Sequence, residues 1–176
     1  MFPWTHAAFG YLLLVCLGLV LHRQLSKAEL VAVLVGTQFA DFLDKPLAWV
    51  FAVLPSGRSL AHSLLIAVPL AVGILAVAWY RSHPEVGVAF GLGYASHLLG
   101  DTYVAIYYWR VEEFTFLLWP VLPAYPYDDF VGFLDFASRL EITSGLLMVA
   151  LASAAIGTIF LAHLLWAPWW YTPRAS

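Results

Sequence analysis

The sequence predicts an all-α protein, a polytopic membrane helical bundle of about five transmembrane helices with short re-entrant or interfacial helices between them. Three observations lead to this prediction. Hydrophobic residues make up 62% of the chain and charged residues only 11%, whereas soluble proteins average about 25% charged residues. The mean hydropathy is +0.84. Long apolar runs alternate with short polar turns, as expected for spans of about 20 residues. We therefore expect residues 1–176 to form a single integral membrane domain.

The apolar runs and their polar stops place five spans along the chain. We expect Thr5 to cap the first helix and Pro46 to end the second. The apolar piece 47–54 is too short to cross a bilayer and is interpreted as a re-entrant or interfacial turn. Ser59 is the expected cap of the third helix, which places His62 in its first turn. The predicted spans are residues 7–21, 30–43, 60–80, 86–109 and 142–166.

The region between the fourth and fifth spans has a different composition. Residues 110–141 hold six acidic residues and two arginines. We expect an apolar hairpin-like piece at 114–123 and an amphipathic interfacial helix at 128–140. The acidic residues here are interpreted as solvated, and Asp128 with Asp129 is the pair that most resembles a ligand pair.

Polar side chains from four predicted helices should meet at one end of the bundle. Successive spans alternate direction, so the start of the first span, the end of the second and the start of the third lie on one side, which we call face one. His97 and Asp101 lie inside the fourth span at a depth of roughly 16–22 Å from the other side, face two, at about 1.5 Å per residue. The residues brought together by this count are His6, Asp41, Asp44, Arg58, His62, His97 and Asp101.

This set of residues suits a divalent metal ion. Imidazole nitrogens and carboxylate oxygens are ligands that Zn²⁺ takes in catalytic sites, and Mn²⁺ or Fe²⁺ accept similar sets. Asp41 and Asp44 share a helix face at i and i+3, and His97 and Asp101 do so at i and i+4. A metal ion also offsets the free-energy cost of burying carboxylates in a membrane. The alternative is a purely structural cluster in which the same side chains only hydrogen-bond to one another.

Two basic residues lie beside this set. The forked donors of Arg58 make it a candidate for binding phosphate. Lys45 has the same potential, or else it caps the end of the second helix. The other three histidines, His22, His83 and His163, belong to face two.

The motifs that contain these residues resemble a membrane-bound metal-dependent hydrolase family exemplified by YdjM and described as LexA-regulated inner-membrane proteins. The resemblance covers about the first two thirds of the chain. It rests on Thr5-His6, the acids Asp41 and Asp44, the run Arg58-Ser59-Leu60-Ala61-His62-Ser63, the run from Gly93 to Asp101, and Leu117-Leu118-Trp119-Pro120.

The sequence departs from the family pattern at two places. Family members often read His-Arg-Gly-x-Thr-His-Ser, whereas Gly57, Ser59 and Ala61 replace the first His, the Gly and the Thr here. They also tend to read Pro-Asp-x-Asp, whereas this chain spaces its acids as Asp41 and Asp44. Either aspartate is therefore a candidate ligand.

The family is in turn similar to zinc-dependent phospholipase C enzymes and single-strand-specific zinc nucleases. That similarity implies a first ion held by Asp44 or Asp41 with His62, His97 and Asp101. It also implies that His6 and Asp101 reach toward a second ion. The expected cofactor is one or two divalent ions, with Zn²⁺ expected and Mn²⁺ or Fe²⁺ as alternatives. The later His, His and Glu ligands of those enzymes have no match in this chain.

These observations together predict a membrane-bound metal-dependent hydrolase that cleaves a phosphoester or phosphodiester of a lipid-like substrate, with Arg58 and Lys45 stabilising charge on the phosphate. The alternatives are an ion or proton transporter or channel, and a catalytically inactive structural member of the family. The bilayer and the substrate are the expected partners. Nucleic acid is not expected as a partner, because the eight Lys and Arg residues are scattered singly. The sequence does not determine an oligomeric state.

The expected location is the inner or plasma membrane, in a multi-pass arrangement. Basic residues mark the cytoplasmic side of a membrane protein, and each face carries four of them. Face two has Arg23, Lys27, Arg81 and Arg174, and face one has Lys45, Arg58, Arg110 and Arg139. Setting aside Lys45 and Arg58 as site residues places face two inside, so the site is expected on the extracytoplasmic side.

Overall fold

The computed structural model describes residues 2–125, 138 and 141–170, which form helices joined by turns. The elements are α1 (Pro3–Val20), α2 (Lys27–Trp49), α3 (Leu64–Tyr80), α4 (Pro84–Tyr107), a 3₁₀ helix (Val111–Leu118) and α5 (Ser144–Trp166). The described ranges contain no strand, so the all-α prediction is confirmed. The predicted interfacial helix at 128–140, with Asp128 and Asp129, lies outside the described residues except for Ser138.

Helix α4 is the centre of the bundle. It packs against α1, α2, α3 and the 3₁₀ helix, and its contact with α2 is the most extensive in the fold. Helix α5 packs chiefly on α1, and none of its residues, all of which the structure describes, is buried. The apolar core between α1, α2 and α4 contains Leu14, Leu30 and Val33, which are almost fully buried.

Two glycines allow the close contact between α2 and α4. A Cβ atom on Gly36 would collide with the carbonyl oxygen of Phe90, and a Cβ atom on Gly93 would collide with the carbonyl oxygen of Val33. The two helices therefore touch backbone to backbone, as small residues permit in membrane helix pairs. This contact sets the distance between the site residues that α2 and α4 carry.

The first two helices are longer than the sequence predicted. Helix α1 begins at Pro3, because proline suits the first helical position, and the predicted cap Thr5 lies inside the helix with its hydroxyl donating to the Phe2 carbonyl at 2.6 Å. Helix α2 continues through Pro46 to Trp49. The predicted stop at Pro46 was wrong because its ring removes only one hydrogen bond there, and its own carbonyl still accepts from the Val50 N–H at 3.0 Å.

The segment between α2 and α3 is a folded loop rather than a short helix. Residues 47–49 complete α2, so the predicted separate piece 47–54 is not a helix of its own. Helix α3 starts after Ser63, whose hydroxyl caps it at Leu65 N. The predicted cap Ser59 was therefore wrong, and His62 lies in the loop instead of the first helical turn. The first half of the predicted hairpin-like piece at 114–123 belongs to the 3₁₀ helix, and residues 119–123 form a turn.

Among the described helices, two are long and apolar enough to cross a membrane by length and composition, α1 and α5. This number is lower than the predicted five. Helix α3 is apolar but has only 17 residues. Helices α2 and α4 are long enough, but they carry the polar residues of the candidate site.

Candidate metal centre

Four buried side chains converge between α2, α4 and the loop that precedes α3. Asp41, His62, His97 and Asp101 each offer one ligand atom, and these four atoms all lie within 4.8 Å of one another. We call them the four-residue cluster. The sequence-based count of crossings placed all four at one end of the bundle, and they do meet there.

The two histidines of the cluster are held with the same ring nitrogen facing inward. His97 Nδ1 lies 2.7 Å from the carbonyl oxygen of Thr37, and His62 Nδ1 lies 2.8 Å from Asp44 Oδ2. Because a carbonyl or carboxylate oxygen only accepts, both Nδ1 atoms carry the proton and donate. The two Nε2 atoms, 3.0 Å apart, are then both acceptors in the neutral rings. A cation between them, either a proton or a metal ion, is needed to hold this arrangement.

The two carboxylates complete a set of four donors around the same point. Asp41 Oδ1 lies 3.6 Å from His62 Nε2 and 3.7 Å from His97 Nε2. Asp101 Oδ2 lies 3.5 Å and 3.8 Å from the same two atoms. Zinc bonds of about 2.0–2.1 Å in a tetrahedron separate neighbouring ligand atoms by about 3.3 Å. The donor types and their spacing therefore fit a divalent metal ion.

The carboxylates also determine the charge on His62 when no metal is bound. Burial alone would lower the pKa of this imidazole, but hydrogen bonds with Asp101, Asp41 and Asp44 outweigh burial and raise the pKa from 6.5 to about 10. His62 thus holds a second proton at neutral pH. That proton supplies the positive charge that the pair of Nε2 atoms requires.

Asp44 has a different position from Asp41, although the sequence left both open as ligands. Its fully buried carboxylate accepts hydrogen bonds from the backbone N–H groups of Ser59, Ala61 and His62 at 2.8–3.2 Å. With His62 Nδ1 as a further donor, both of its oxygens are engaged. Asp44 therefore orients His62 and closes the loop around it, and the structure places Asp41 at the four-residue cluster instead.

His6 lies against the cluster from α1. Its ring stacks on His97 with centroids 4.0 Å apart, and its side chain is 1% exposed. His6 Nε2 is 3.2 Å from Asp101 Oδ1, but neither ring nitrogen has a partner with hydrogen-bond geometry among the described residues. Asp101 thus lies between His6 on one oxygen and the cluster on the other.

The two predicted basic residues pair with the carboxylates of the cluster. Arg58 Nε lies 2.9 Å from Asp101 Oδ2, and Lys45 Nζ lies 2.6 Å from Asp41 Oδ2. Both side chains are partly exposed, at 23% and 29%. The otherwise buried cluster therefore lies closest to the protein surface on the side of Lys45 and Arg58.

The loop that carries His62 is fixed by residues that the sequence analysis did not identify. The Tyr94 hydroxyl donates to the carbonyl of Ala61, and the Ser63 hydroxyl donates to the carbonyl of Trp119 at 2.6 Å. Tyr94 lies three residues before His97 and is therefore its neighbour on the α4 surface. This spacing could have indicated from the sequence that Tyr94 lies near the site. The Thr37 carbonyl gave none, because every residue has a carbonyl group.

The structure therefore brings together all the site residues that the sequence predicted, with Asp44 bonded to His62 behind the cluster. Their roles as metal ligands or catalytic groups stay predictions. The three histidines predicted on face two lie elsewhere: His163 contacts Tyr11, His83 stacks on Trp170, and His22 follows α1.

Comparison with known proteins gives the family. The sequence matches the family model described as YdjM inner membrane protein over residues 1–172. No curated protein and no solved structure matches the chain. The chain belongs to the YdjM inner membrane protein family, as the motifs in its first two thirds predicted.

Proposed function

We propose that this member of the YdjM inner membrane protein family is a metal-dependent hydrolase that cleaves a phosphoester or phosphodiester of a lipid-like substrate. One observation carries the proposal. The Nε2 atoms of His62 and His97 lie 3.0 Å apart while both Nδ1 atoms donate to other oxygens, and two carboxylates lie beside them. Four such donors around one point are typical of a divalent metal site.

The residues have distinct roles in this proposal. Asp41, His62, His97 and Asp101 hold the ion. A divalent ion bound in this way lowers the pKa of a bound water toward neutrality and polarises a phosphoryl oxygen. Asp44 and the Thr37 carbonyl keep the two imidazoles in the tautomer that presents Nε2 to the ion.

The two basic side chains bind the substrate. Arg58 Nε lies 2.9 Å from Asp101 Oδ2, which places beside the cluster a guanidinium, the group that recognises phosphate oxygens in a forked arrangement. Lys45 neutralises charge that grows on the phosphate in the transition state. His6, which is buried beside Asp101 Oδ1, is the residue on which a second ion would depend.

The reaction type is proposed by analogy with zinc-dependent phospholipase C enzymes and zinc nucleases, which the sequence motifs resemble. The donor set is compatible with Zn²⁺, which we propose as the ion, and Mn²⁺ or Fe²⁺ would accept the same ligands. A lipid-like substrate follows from the location of the site in a membrane protein.

We propose that all five α-helices cross the membrane, with the polar residues of α2 and α4 facing the interior of the bundle. Helix α3 has 17 residues, which is the lower end of the about 17–25 residues that a span needs. Once Lys45 and Arg58 are assigned to the site, the remaining basic residues favour face two as the cytoplasmic side, which supports an extracytoplasmic site.

The alternative of an ion or proton transporter needs a polar path through the whole bundle. Between the cluster and face two, apolar side chains fill the interior of the bundle: Leu14, Leu30, Val33 and Phe90, each 6% exposed or less. These apolar side chains favour a site that is open at one end over a path between two faces.

Elemental analysis and activity measurements on the purified protein test the proposal. We expect at least one transition-metal ion per chain, and we expect His97→Ala to remove it. Hydrolysis of a soluble aryl phosphodiester should stop on chelation and return with Zn²⁺. His22→Ala is the control, because His22 is exposed at the other end of the bundle. Absence of stoichiometric metal from the native protein, with no change in His97→Ala, would overturn the proposal.

A further inference from the structure

Two apolar grooves adjoin one another on the side of the bundle formed by α1. The first, which we call the outer groove, runs between α1 and α2, has a volume of 720 Å³ and is lined by Pro3, Trp4, Ala7, Gln38 and Phe42 among others. The second, the inner groove, lies between α1, α2 and α5 and has a volume of 420 Å³. Both volumes fall within the about 300–1,000 Å³ of small-molecule sites.

Trp4, Ala7 and Leu34 line both grooves and therefore form a ridge between them. Trp4 is 43% exposed, so its indole stands out from α1. A molecule that filled both grooves would have to fork around this ridge. Two hydrocarbon chains joined at one end have this shape.

In the proposed arrangement, in which all five helices cross the membrane, the grooves face the bilayer. Helices α1 and α5, which supply most of the inner groove, are the two described helices long and apolar enough to cross a membrane. In a membrane the occupant of an apolar groove on these helices is hydrocarbon, because unpaired polar groups are costly there.

The outer groove ends beside the charged entrance of the metal centre. Gln38, which lines this groove, donates to the Pro3 carbonyl at 3.0 Å and so bridges α1 and α2. Asp41 and Lys45 follow on α2, and Lys45 lies about 4.5 Å further along the axis than Phe42 at about 1.5 Å per residue. On α1, His6 lies two residues after Trp4. A headgroup on chains in the grooves would therefore reach Lys45, whose positive charge complements a phosphate.

We propose that the substrate is a phospholipid with two acyl chains, which lie in the outer and inner grooves on either side of Trp4 while the phosphate meets Lys45 and Arg58. This inference rests on the proposed function and specifies its substrate class. In this proposal the grooves bind the two acyl chains, and this binding places the phosphate of the headgroup at the four-residue cluster.

Ala7→Trp tests the inference, because Ala7 lines both grooves and a large ring there fills them. Hydrolysis of phosphatidylglycerol vesicles should fall by about tenfold or more, since displacing even two buried methylene groups changes affinity by about that factor. Hydrolysis of the soluble aryl phosphodiester and the metal content should not change. Leu12→Trp is the matched control, because Leu12 is also exposed on α1 but lines neither groove.

Two further measurements keep this test separate from that of the proposed function. Phosphatidylglycerol with a photoreactive group in one acyl chain should cross-link to Trp4 or Leu34 in the native protein and not in Ala7→Trp, whether or not the lipid is cleaved. Equal vesicle hydrolysis by Ala7→Trp and Leu12→Trp, or equal cross-linking, would overturn the inference and leave the hydrolase intact. Loss of metal and of all hydrolysis with retained cross-linking would instead overturn the hydrolase and keep the lipid site.

Discussion

His97 Nδ1 on α4 donates to the carbonyl oxygen of Thr37 on α2 across 2.7 Å. A backbone atom of one helix therefore fixes the tautomer of a side chain on another, and it does so only while the two helices stay in backbone contact. Gly36 and Gly93 provide that contact. The geometry of the metal centre thus depends on two residues that carry no functional group.

Gly93→Ala should separate α2 from α4, because the added methyl group meets the Val33 carbonyl. We expect a loss of unfolding free energy of about 1–3 kcal/mol, as in other overpacked sites, together with weaker metal binding. Thermal unfolding in detergent and metal titration measure the two effects. Gly91→Ala is the control: its Cβ would meet nothing within 4 Å, so it should be neutral or slightly stabilising. Equal behaviour of the two variants would contradict this account.

Asp41→Asn and Asp44→Asn should weaken the site in different ways. Asp41 supplies a ligand atom, so its variant should lose stoichiometric metal. Asp44 orients His62, and loss of such a supporting group typically reduces metal affinity by about 10–100-fold while the ion count at saturation stays the same. The Asp44 variant should also lose unfolding free energy, because its buried carboxylate binds three backbone N–H groups. Metal titration followed by elemental analysis separates the two; the reverse pattern would make Asp44 the ligand.

Metal binding should release a proton at neutral pH. His62 in the metal-free protein has its pKa raised to about 10, so its Nε2 is protonated and the ion must displace that proton. The apparent affinity should therefore rise about tenfold per pH unit below this pKa. Calorimetry in buffers of different ionisation enthalpy counts the protons. No proton release at pH 7 would show that His62 is neutral before the ion binds.

The same pKa predicts how the metal-free protein responds to pH. Because the folded-state pKa of His62 lies above its ordinary 6.5, its charged form stabilises the fold fully below about pH 6.5, and this stabilisation is lost as the pH rises toward 10. Thermal unfolding of the chelated protein should show a falling midpoint over that range. The trend should be weaker in His62→Gln; an identical slope in that variant would assign it to other groups.

Lys45→Met and Arg58→Met should reduce turnover and keep the metal. Removing one group that stabilises transition-state charge typically lowers kcat by about 10²–10³-fold. Hydrolysis of the soluble phosphodiester, normalised to metal content, measures this loss. Arg81→Met is the control, because Arg81 is exposed where α3 ends on face two. Full turnover by both site variants would remove them from the mechanism.

The Tyr11 hydroxyl and His163 Nδ1, 3.1 Å apart, attach the C-terminal part of α5 to the middle of α1. Tyr11→Phe should lower the unfolding free energy by about 0.6 kcal/mol, the average for hydrogen bonds between membrane helices, and leave the metal content unchanged. Thermal unfolding compared with Tyr80→Phe, an 86% exposed position, isolates the effect. A change in metal content would show that this contact between α1 and α5 is coupled to the site.

Some parts of this protein follow from local sequence alone. The apolar runs predicted the helices, and alternation of direction predicted that His6, Asp41, His62, His97 and Asp101 meet at one end. Helix boundaries were predicted less well, because a proline that removes one hydrogen bond does not end a helix whose neighbours hold it, as at Pro46. The count of crossing helices also differed, because the side chains that build the site make α2 and α4 less apolar.

The sequence by itself determined which residues meet and what chemistry they share, since periodicity and the alternation of spans depend only on spacing along the chain. Only the tertiary structure decided that Asp44 supports His62 while Asp41 faces the cluster. Both aspartates lie on the same side of α2, and the choice depends on where the loop 50–63 folds its backbone N–H groups. The tertiary structure also decided which ring nitrogen each imidazole directs toward the cluster. For His62 this is set by a carboxylate oxygen of Asp44, 18 residues away, and for His97 by the carbonyl oxygen of Thr37, 60 residues away.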